Sequence, residues 1–414
     1  MLRRGGTIDA HMPLDACPIP LARCADHALL ALAHATGSPA LAKLDGVTLL
    51  GERAMRHGMS IPGHISAGGG CRLFEAVGDT VALNLAREAD RELLPALLEA
   101  DDVDTHADGV IARLIARCDA AALVARGRSM GMAIAAEREH SATRNDDLEA
   151  LPLGARPAPA ATHAIRRAPR VLDLSALWAG PLAGHLLWLA GADVVKVESR
   201  TRPDAMRSGA DPFYALLNQG KASVVLDFAD AADRRALLAL ILASDIVIEA
   251  ARPRALLQLG IDADQIRLSK PGLVWVSITA HGTEGERANW VGFGDDCGVA
   301  GGLSAALRRA TGRTGFVGDA MADPLTGIFA AWSAWENWQA RRGGRLRLAM
   351  SQVIAQCLAH ESAIDPMALD AALKTWGASV GMPFPTVNRR PISGAVASFG
   401  EHTRACLAQI SASS

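Results

Sequence analysis

The sequence predicts an α/β protein, with a Rossmann-like parallel-sheet large domain and a smaller α+β domain ahead of it. Three observations carry this. From Arg170 onward, short β-rich runs alternate with helical patterns, the signature of βαβ units in a parallel sheet. A stretch punctuated by Gly154, Pro157, Pro159 and Pro169 divides the chain. The part before it mixes helical spacing with strand-like alternation and has no internal repeat. At 414 residues the chain has room for two or three domains, each with its own core.

In the N-terminal part, residues 29–35, 91–98 and 109–122 have helical spacing, and residues 80–85 alternate like a strand. Residues 1–153 are read together as the small domain. Residues 154–169 form an extended linker, because proline removes donors and restricts its neighbours. The large domain, residues 170–350, has predicted strands at 170–174, 193–198, 223–226, 245–249 and 273–278. Helices are expected at 181–189, ended by Gly191, and at 231–243, with a long one from Pro324 to about Ala340. Residues 351–414 read as a tail that returns to the large domain.

Composition narrows the function. Half of the residues are hydrophobic and 21% are charged, which excludes a disordered chain. A formal net charge of −2 leaves no basic footprint for nucleic acid and no polybasic membrane patch. Only Lys43, Lys196, Lys221, Lys270 and Lys374 are lysines, a bias of genome composition rather than of function. The seven cysteines (Cys17, Cys24, Cys71, Cys118, Cys297, Cys357, Cys406) are scattered and never in a CxxC pair, which fits a reducing cytoplasm. Residues 1–6 have no apolar run behind them, so no secretory signal is expected. The most apolar stretch is broken by Asp173, Pro181, His185 and Asp193 and reads as strand plus helix rather than a membrane span.

Ligands of open α/β sheets sit beyond the carboxyl ends of the strands. The loop after the first large-domain strand, Ser175 to Pro181, has no GxGxxG. A dinucleotide reading therefore lacks its fingerprint, although Glu198 ends the second strand where a ribose-binding acid would stand. Gly180-Pro181 suits helix initiation and leaves N–H groups free for an anion. Asp323-Pro324 reads plainly as an N-cap followed by proline at the first helical position. The same geometry would keep the carboxylate ionised. An exposed ionised carboxylate can attack a thioester carbonyl and form an acyl-aspartyl anhydride. Asp319 is its nearby competitor. Gly68-Gly69-Gly70 is either a plain flexible loop or a mobile cover whose N–H groups approach a reacting acyl group. His281-Gly282 reads as a turn before it reads as a base. Asp295-Asp296-Cys297 lacks a suitably spaced His or further carboxylate to complete a metal or thiol site, so no metal is expected.

Five segments recur in a recognisable order. They are Val171 through Pro181; Gly191 through Glu198; Asn218-Gln219-Gly220-Lys221-Ala222-Ser223 through Asp227; Arg252-Pro253 through Gly260; and Ala322-Asp323-Pro324-Leu325-Thr326-Gly327. Together they resemble the family III CoA-transferases of the formyl-CoA and carnitine-CoA type. The resemblance implies an acyl-CoA:carboxylate CoA-transferase with no permanently bound cofactor, a CoA thioester as substrate, a carboxylate acceptor and an interlocked homodimer. It implies that Asp323 is the nucleophile, attacking the donor acyl-CoA and later carrying CoA as a thioester. Backbone groups of Gly69 and Gly70 would stabilise developing charge. CoA contacts would fall to Ala179, Gly180, Glu198, Arg200, Arg207, Lys221 and Arg252. Gly68 through Leu73 and the strand near Val81 resemble the family's small domain, here placed first, and Phe399 through Thr403 resembles its usual end. Trp178, Gln258 and Gly298 depart from the family pattern and put formyl or oxalyl specificity in doubt. An acyl-CoA racemase on the same fold would need a His where the register puts Phe293. A non-catalytic CoA-binding paralogue is the remaining alternative.

Overall fold

The computed structural model describes residues 18–139, 151, 153, 167–208 and 212–411. The expected linker, apart from residues 167–169, lies outside them, as do residues 1–6 and Cys17.

Six strands form one all-parallel sheet: β4 (Arg170–Asp173), β5 (Asp193–Ser199), β6 (Ala222–Leu226), β7 (Ile246–Glu249), β8 (Val274–Thr279) and β9 (Gly344–Ala349). Their order is β6-β5-β4-β7-β8-β9. The chain steps outward from β4 to β6, returns to the other side of β4, and continues to β9. That reversal between β4 and β7 is a topological switch point, which opens a crevice at the carboxyl ends of the strands. Val171 lies opposite both Val194 and Ile246 and faces one core with Leu182 and Leu325. Leu172 faces the other core, with Leu237 and Ile266. Two covered faces explain why these strands are almost continuously apolar. Five of the six were expected. The edge strand β9 was not, because Arg345 and Arg347 alternate with Leu346 and Leu348 after a Gly-Gly turn, a pattern that hides half its apolar content.

A second sheet is antiparallel: β1 (Cys71–Glu75), β2 (Thr80–Asn84) and β3 (Ile134–Ala136), in that order. The helix expected at 29–35 extends over Ala22–Thr36. The one expected at 91–98 breaks into Glu88–Glu92 and Leu94–Leu98. The one expected at 109–122 splits into Asp108–Ile115 and Ala120–Ser129, because the Asp119 carboxylate accepts from Ala122 N at 2.9 Å and starts a new helix there.

The N-terminal residues pack into two different cores. Phe74, Val81, Leu83, Ile111, Leu123 and Ile134 share a small core of their own. The helices Ala22–Thr36 and Gly46–Arg56 instead pack into the large core, alongside the long helix Ala322–Gln339. The other face of the small sheet meets the large domain through Cys71, Leu73, Ala82, Val299 and Phe316. Near the C-terminal end, His402 N donates to Ser223 O at 2.9 Å, and Val225 N to Thr403 Oγ1 at 3.0 Å. Among the described residues no helix is long and apolar enough to cross a membrane.

Candidate active site

The switch-point crevice is a cavity of about 630 Å³. Residues 176–180 after β4, residues 250–252 after β7, Thr279 and Ala280 at the end of β8, and Met350 after β9 form one wall. Arg53, His57, Gly68, Gly70, Asn84 and Arg87, all from the N-terminal third, form the facing wall. The site is thus built across the two parts of the chain.

Asp323 lies on this cavity. The helix carrying it starts at Ala322 with Met321 as N-cap, so Asp323 sits inside the first turn and is not the cap. Its carboxylate accepts from the Ala179 N–H, at the start of the helix Ala179–Leu189. The two helices come close because Gly327 has no side chain. A Cβ there would stand 2.6 Å from Ala179 O and 3.1 Å from Leu182 Cβ. This is the physical content of the Asp323-to-Gly327 spacing: one turn beyond the carboxylate, the helix must approach its neighbour closely. Gly294, at the start of the helix Gly294–Ala300, similarly makes room for the carboxylate; a Cβ there would overlap Asp323 Oδ2.

Asp323 is half-buried rather than exposed. Burial pushes its carboxyl up to about 7, Arg53 opposes that rise, and Asp295 adds to it. The helix N-terminus alone does not outweigh desolvation here. Asp295 also faces the cavity, and burial together with Asp319 raises it to about 6. Asp319 is fully buried and is not on the cavity wall. Both its oxygens are held by Arg53, with Nε to Oδ2 at 2.8 Å and a second, shorter bond from the other end of the guanidinium. The same guanidinium lies 4.8 Å over the Trp178 ring. Geometry therefore separates the two candidate nucleophiles. Arg53 itself escaped sequence reasoning, since nothing local in the helix Gly46–Arg56 marks it.

The glycine turn is tied to this cluster. Ser66 donates to Asp295, its Oγ accepts from Cys71 N at 3.1 Å, and its carbonyl accepts from Gly69 N at 2.8 Å. The expected role of Gly69 is corrected by that last bond: its N–H is committed to the turn, at φ +72°, and Gly69 is not on the cavity wall. Gly68 and Gly70 are.

Of the expected CoA contacts, Ala179, Gly180 and Arg252 line the cavity. Glu198, Arg200, Arg207 and Lys221 do not. Glu198 and Arg207 bind each other, with Arg207 Nε 3.1 Å from both carboxylate oxygens, and Arg207 also covers the Tyr214 ring. Lys221 is buried against Asp173 at 2.8 Å. Burial pushes its amine down to about 8, while Lys221 and Lys196 hold Asp173 at about 2 against the opposing effect of burial. Arg200 is exposed just beyond β5. These buried charges support the cavity from behind. Lys196 Nζ donates to Ser175 O at 2.8 Å and pairs with Asp204 at 3.1 Å. Asp204 in turn accepts from Leu177 N at 3.2 Å, holding Leu177 at φ +66° on the cavity wall.

Trp178 and Phe293 both face the cavity, whereas Gln258 is exposed on the helix Pro253–Gln258 and Gly298 is buried in the helix Gly294–Ala300. His281 is buried behind the wall, and burial with Arg128 pushes it down to about 3. The fold brings its ring within 4.8 Å of ligand atoms of Asp296 and Cys297, a grouping that linear spacing concealed. Burial raises Asp296 to about 7 and keeps the Cys297 thiol protonated.

Comparison with known proteins follows the same residues. A family model described as CoA-transferase family III matches residues 169–381. Succinate–glutarate CoA-transferase of Agrobacterium fabrum is 31% identical over 174 residues, covering 39% of this chain and 44% of that protein. Succinyl-CoA–D-citramalate CoA-transferase of Chloroflexus aurantiacus is 30% identical over 172 residues, covering 40% of this chain and 43% of that protein. The chain thus spans less than half the length of these curated relatives. A crystal structure of a CaiB/BaiF family protein from Brucella suis is 24% identical, covers 47% of this chain and 55% of that one, and has a TM-score of 0.40.

Proposed function

Because this chain belongs to CoA-transferase family III, we propose that it is an acyl-CoA:carboxylate CoA-transferase with Asp323 as nucleophile. The observation that carries the reading is a half-buried carboxylate on the wall of a switch-point cavity, with a neighbouring guanidinium and a glycine turn on the same cavity. The two relatives are named for CoA transfer between carboxylic acids, which supports the reaction type.

The proposed cycle conserves atoms at each step. An Asp323 oxygen bonds to the acyl carbon of the donor thioester, and the C–S electron pair leaves on CoA sulfur. The thiolate then attacks the aspartyl carbonyl of the anhydride and expels the donor carboxylate, leaving CoA on Asp323. The acceptor carboxylate attacks that thioester, forms a second anhydride and releases thiolate again. Thiolate attack on the acceptor acyl carbon yields the product and frees Asp323. A donor near Gly70 would stabilise the oxyanion of each addition, and losing one such donor typically costs about 2.7–4 kcal/mol of barrier. Asp323 must be ionised to begin, and Arg53 and the Ala179 N–H favour its anion.

CoA is proposed to enter past Arg252, Ala179 and Gly180, where an exposed guanidinium and helix-start N–H groups suit anionic oxygens. A homodimer and a reducing cytoplasm, suited to the six free cysteines among the described residues, belong to the same proposal. Phe293 on the wall, where a racemase would need a base, weighs against racemisation. Mixing the protein with acyl-CoAs and quenching with hydroxylamine tests the reading: a hydroxamate is expected on the peptide containing Asp323. An adduct at Asp319 would move the site, and none in a protein that binds CoA would remove the transferase reading.

A further inference from the structure

We infer that the acyl end of the cavity takes an uncharged, apolar acyl group and turns away acyl groups bearing a second carboxylate. This rests on the CoA-transfer reading above and names its substrate class.

The argument begins with charge. Three carboxylates, the buried Asp319 and the half-buried Asp295 and Asp323, surround one guanidinium, that of Arg53. Arg53 is already committed to both oxygens of Asp319 and stacks over Trp178. The other guanidinium on that wall, Arg87, makes two bonds to Asp90, at 2.8 and 2.6 Å, and covers the Phe293 ring. A third arginine lining the cavity, Arg252, is exposed, so its charge stands in water. A second carboxylate brought in with the acyl group would meet Asp295 and Asp323, with both nearby guanidinium groups engaged. An unpaired buried charge among like charges is strongly disfavoured.

The surface that remains is apolar. Met59, Leu177, Trp178, Ile278, Phe293 and Met350 all line the cavity. The Leu177 backbone is anchored there through its N–H to Asp204. Methionines adapt to irregular apolar shapes.

The reaction cycle fits a single-carboxylate acceptor. While Asp323 carries CoA as a thioester it is uncharged, so an acceptor carboxylate meets one anion fewer. That carboxylate then forms the C–O bond to the aspartyl carbon as the C–S pair leaves on sulfur, and its own charge is consumed. A dicarboxylate would keep a second charge beside Asp295 throughout.

The test compares hexanoyl-CoA with glutaryl-CoA, similar in length and different in terminal charge, as donors to the full-length protein. The readout is the second-order rate of hydroxylamine-trapped labelling at Asp323. Hexanoyl-CoA is expected to react about tenfold faster or more. Met59→Arg, which adds a cation to the wall, is expected to shift that ratio about tenfold or more towards glutaryl-CoA. Equal or faster labelling by glutaryl-CoA in the unmodified protein overturns the inference and leaves the transferase reading standing. Labelling by neither donor, with CoA binding intact, overturns both.

Discussion

A single methyl group placed at Gly294 should disable the proposed nucleophile, Asp323, while leaving the fold in place. Gly294 opens the helix Gly294–Ala300 with a negative φ, so its backbone accepts alanine. The space does not. The added Cβ would overlap Asp323 Oδ2 and the Ala320 carbonyl oxygen, and would lie 2.7 Å from Ala320 Cβ. Because part of the obstruction is backbone, the Asp323 carboxylate must withdraw by roughly 1 Å, a displacement that can cost about 10²-fold in rate. The overpacking itself should cost about 1–3 kcal/mol of stability. Gly298 provides a matched control. It lies in the same helix, is buried, and has nothing within 4 Å of its Cβ position. Gly298→Ala should therefore be neutral or add roughly 0.5–1 kcal/mol from helix propensity. The assay is the initial rate of hydroxylamine-trapped labelling, alongside calorimetric CoA binding and thermal unfolding of both variants. If Gly294→Ala labels as fast as Gly298→Ala, the carboxylate that Gly294 touches is not the reacting one, and the reasoning fails.

Two further outcomes follow from buried charge. The Asp323 carboxyl is raised to about 7 in the fold, against an unfolded value of about 3.9. Its protonated form thus stabilises the fold at low pH, and that contribution is lost as pH rises through about 7. Asp323→Asn should accordingly raise Tm relative to the unmodified protein at pH 8, with a smaller difference at pH 5; a difference independent of pH would refute the burial argument. Lys221→Met leaves Asp173 buried without its directly paired cation and should cost about 3–5 kcal/mol in denaturant unfolding. Its labelling rate per folded molecule should stay near normal, since Lys221 does not line the cavity; a selective loss of CoA binding would restore it as a ligand contact.

Much of the fold was legible because it rests on local pattern. Val194, Val195 and Val197 read as a buried strand, and the helix Ala231–Ala243 begins at Asp230, whose carboxylate accepts from Ala232 N and Asp233 N as an N-cap should. The pattern misled where a local rule met a competing one. Residues 109–122 keep helical spacing throughout, yet Asp119 caps a second helix inside them. The strand β9 lies at a sheet edge, so its arginines can alternate with its leucines. Lys221 and Glu198 sit in recognisable motifs, yet they serve ion pairs behind the cavity wall.

Residue order and spacing were enough to mark Asp323 as a candidate at a helix start and to indicate the parallel sheet, because helix periodicity and strand alternation are properties of neighbours along the chain; its link to Gly327 came from the family resemblance. The partners that set its chemistry come from far away. Arg53 reaches Asp319 across 266 positions, and Asp295 and Gly294 arrive on a different helix. Whether a carboxylate at the start of a helix is charged depends on how much water the surrounding chain removes from it, and desolvation is a sum over neighbours in space. For that reason the raised pKa of Asp323, the commitment of the Gly69 N–H and the engagement of Arg53 and Arg87 by other carboxylates emerge only when distant segments are packed together.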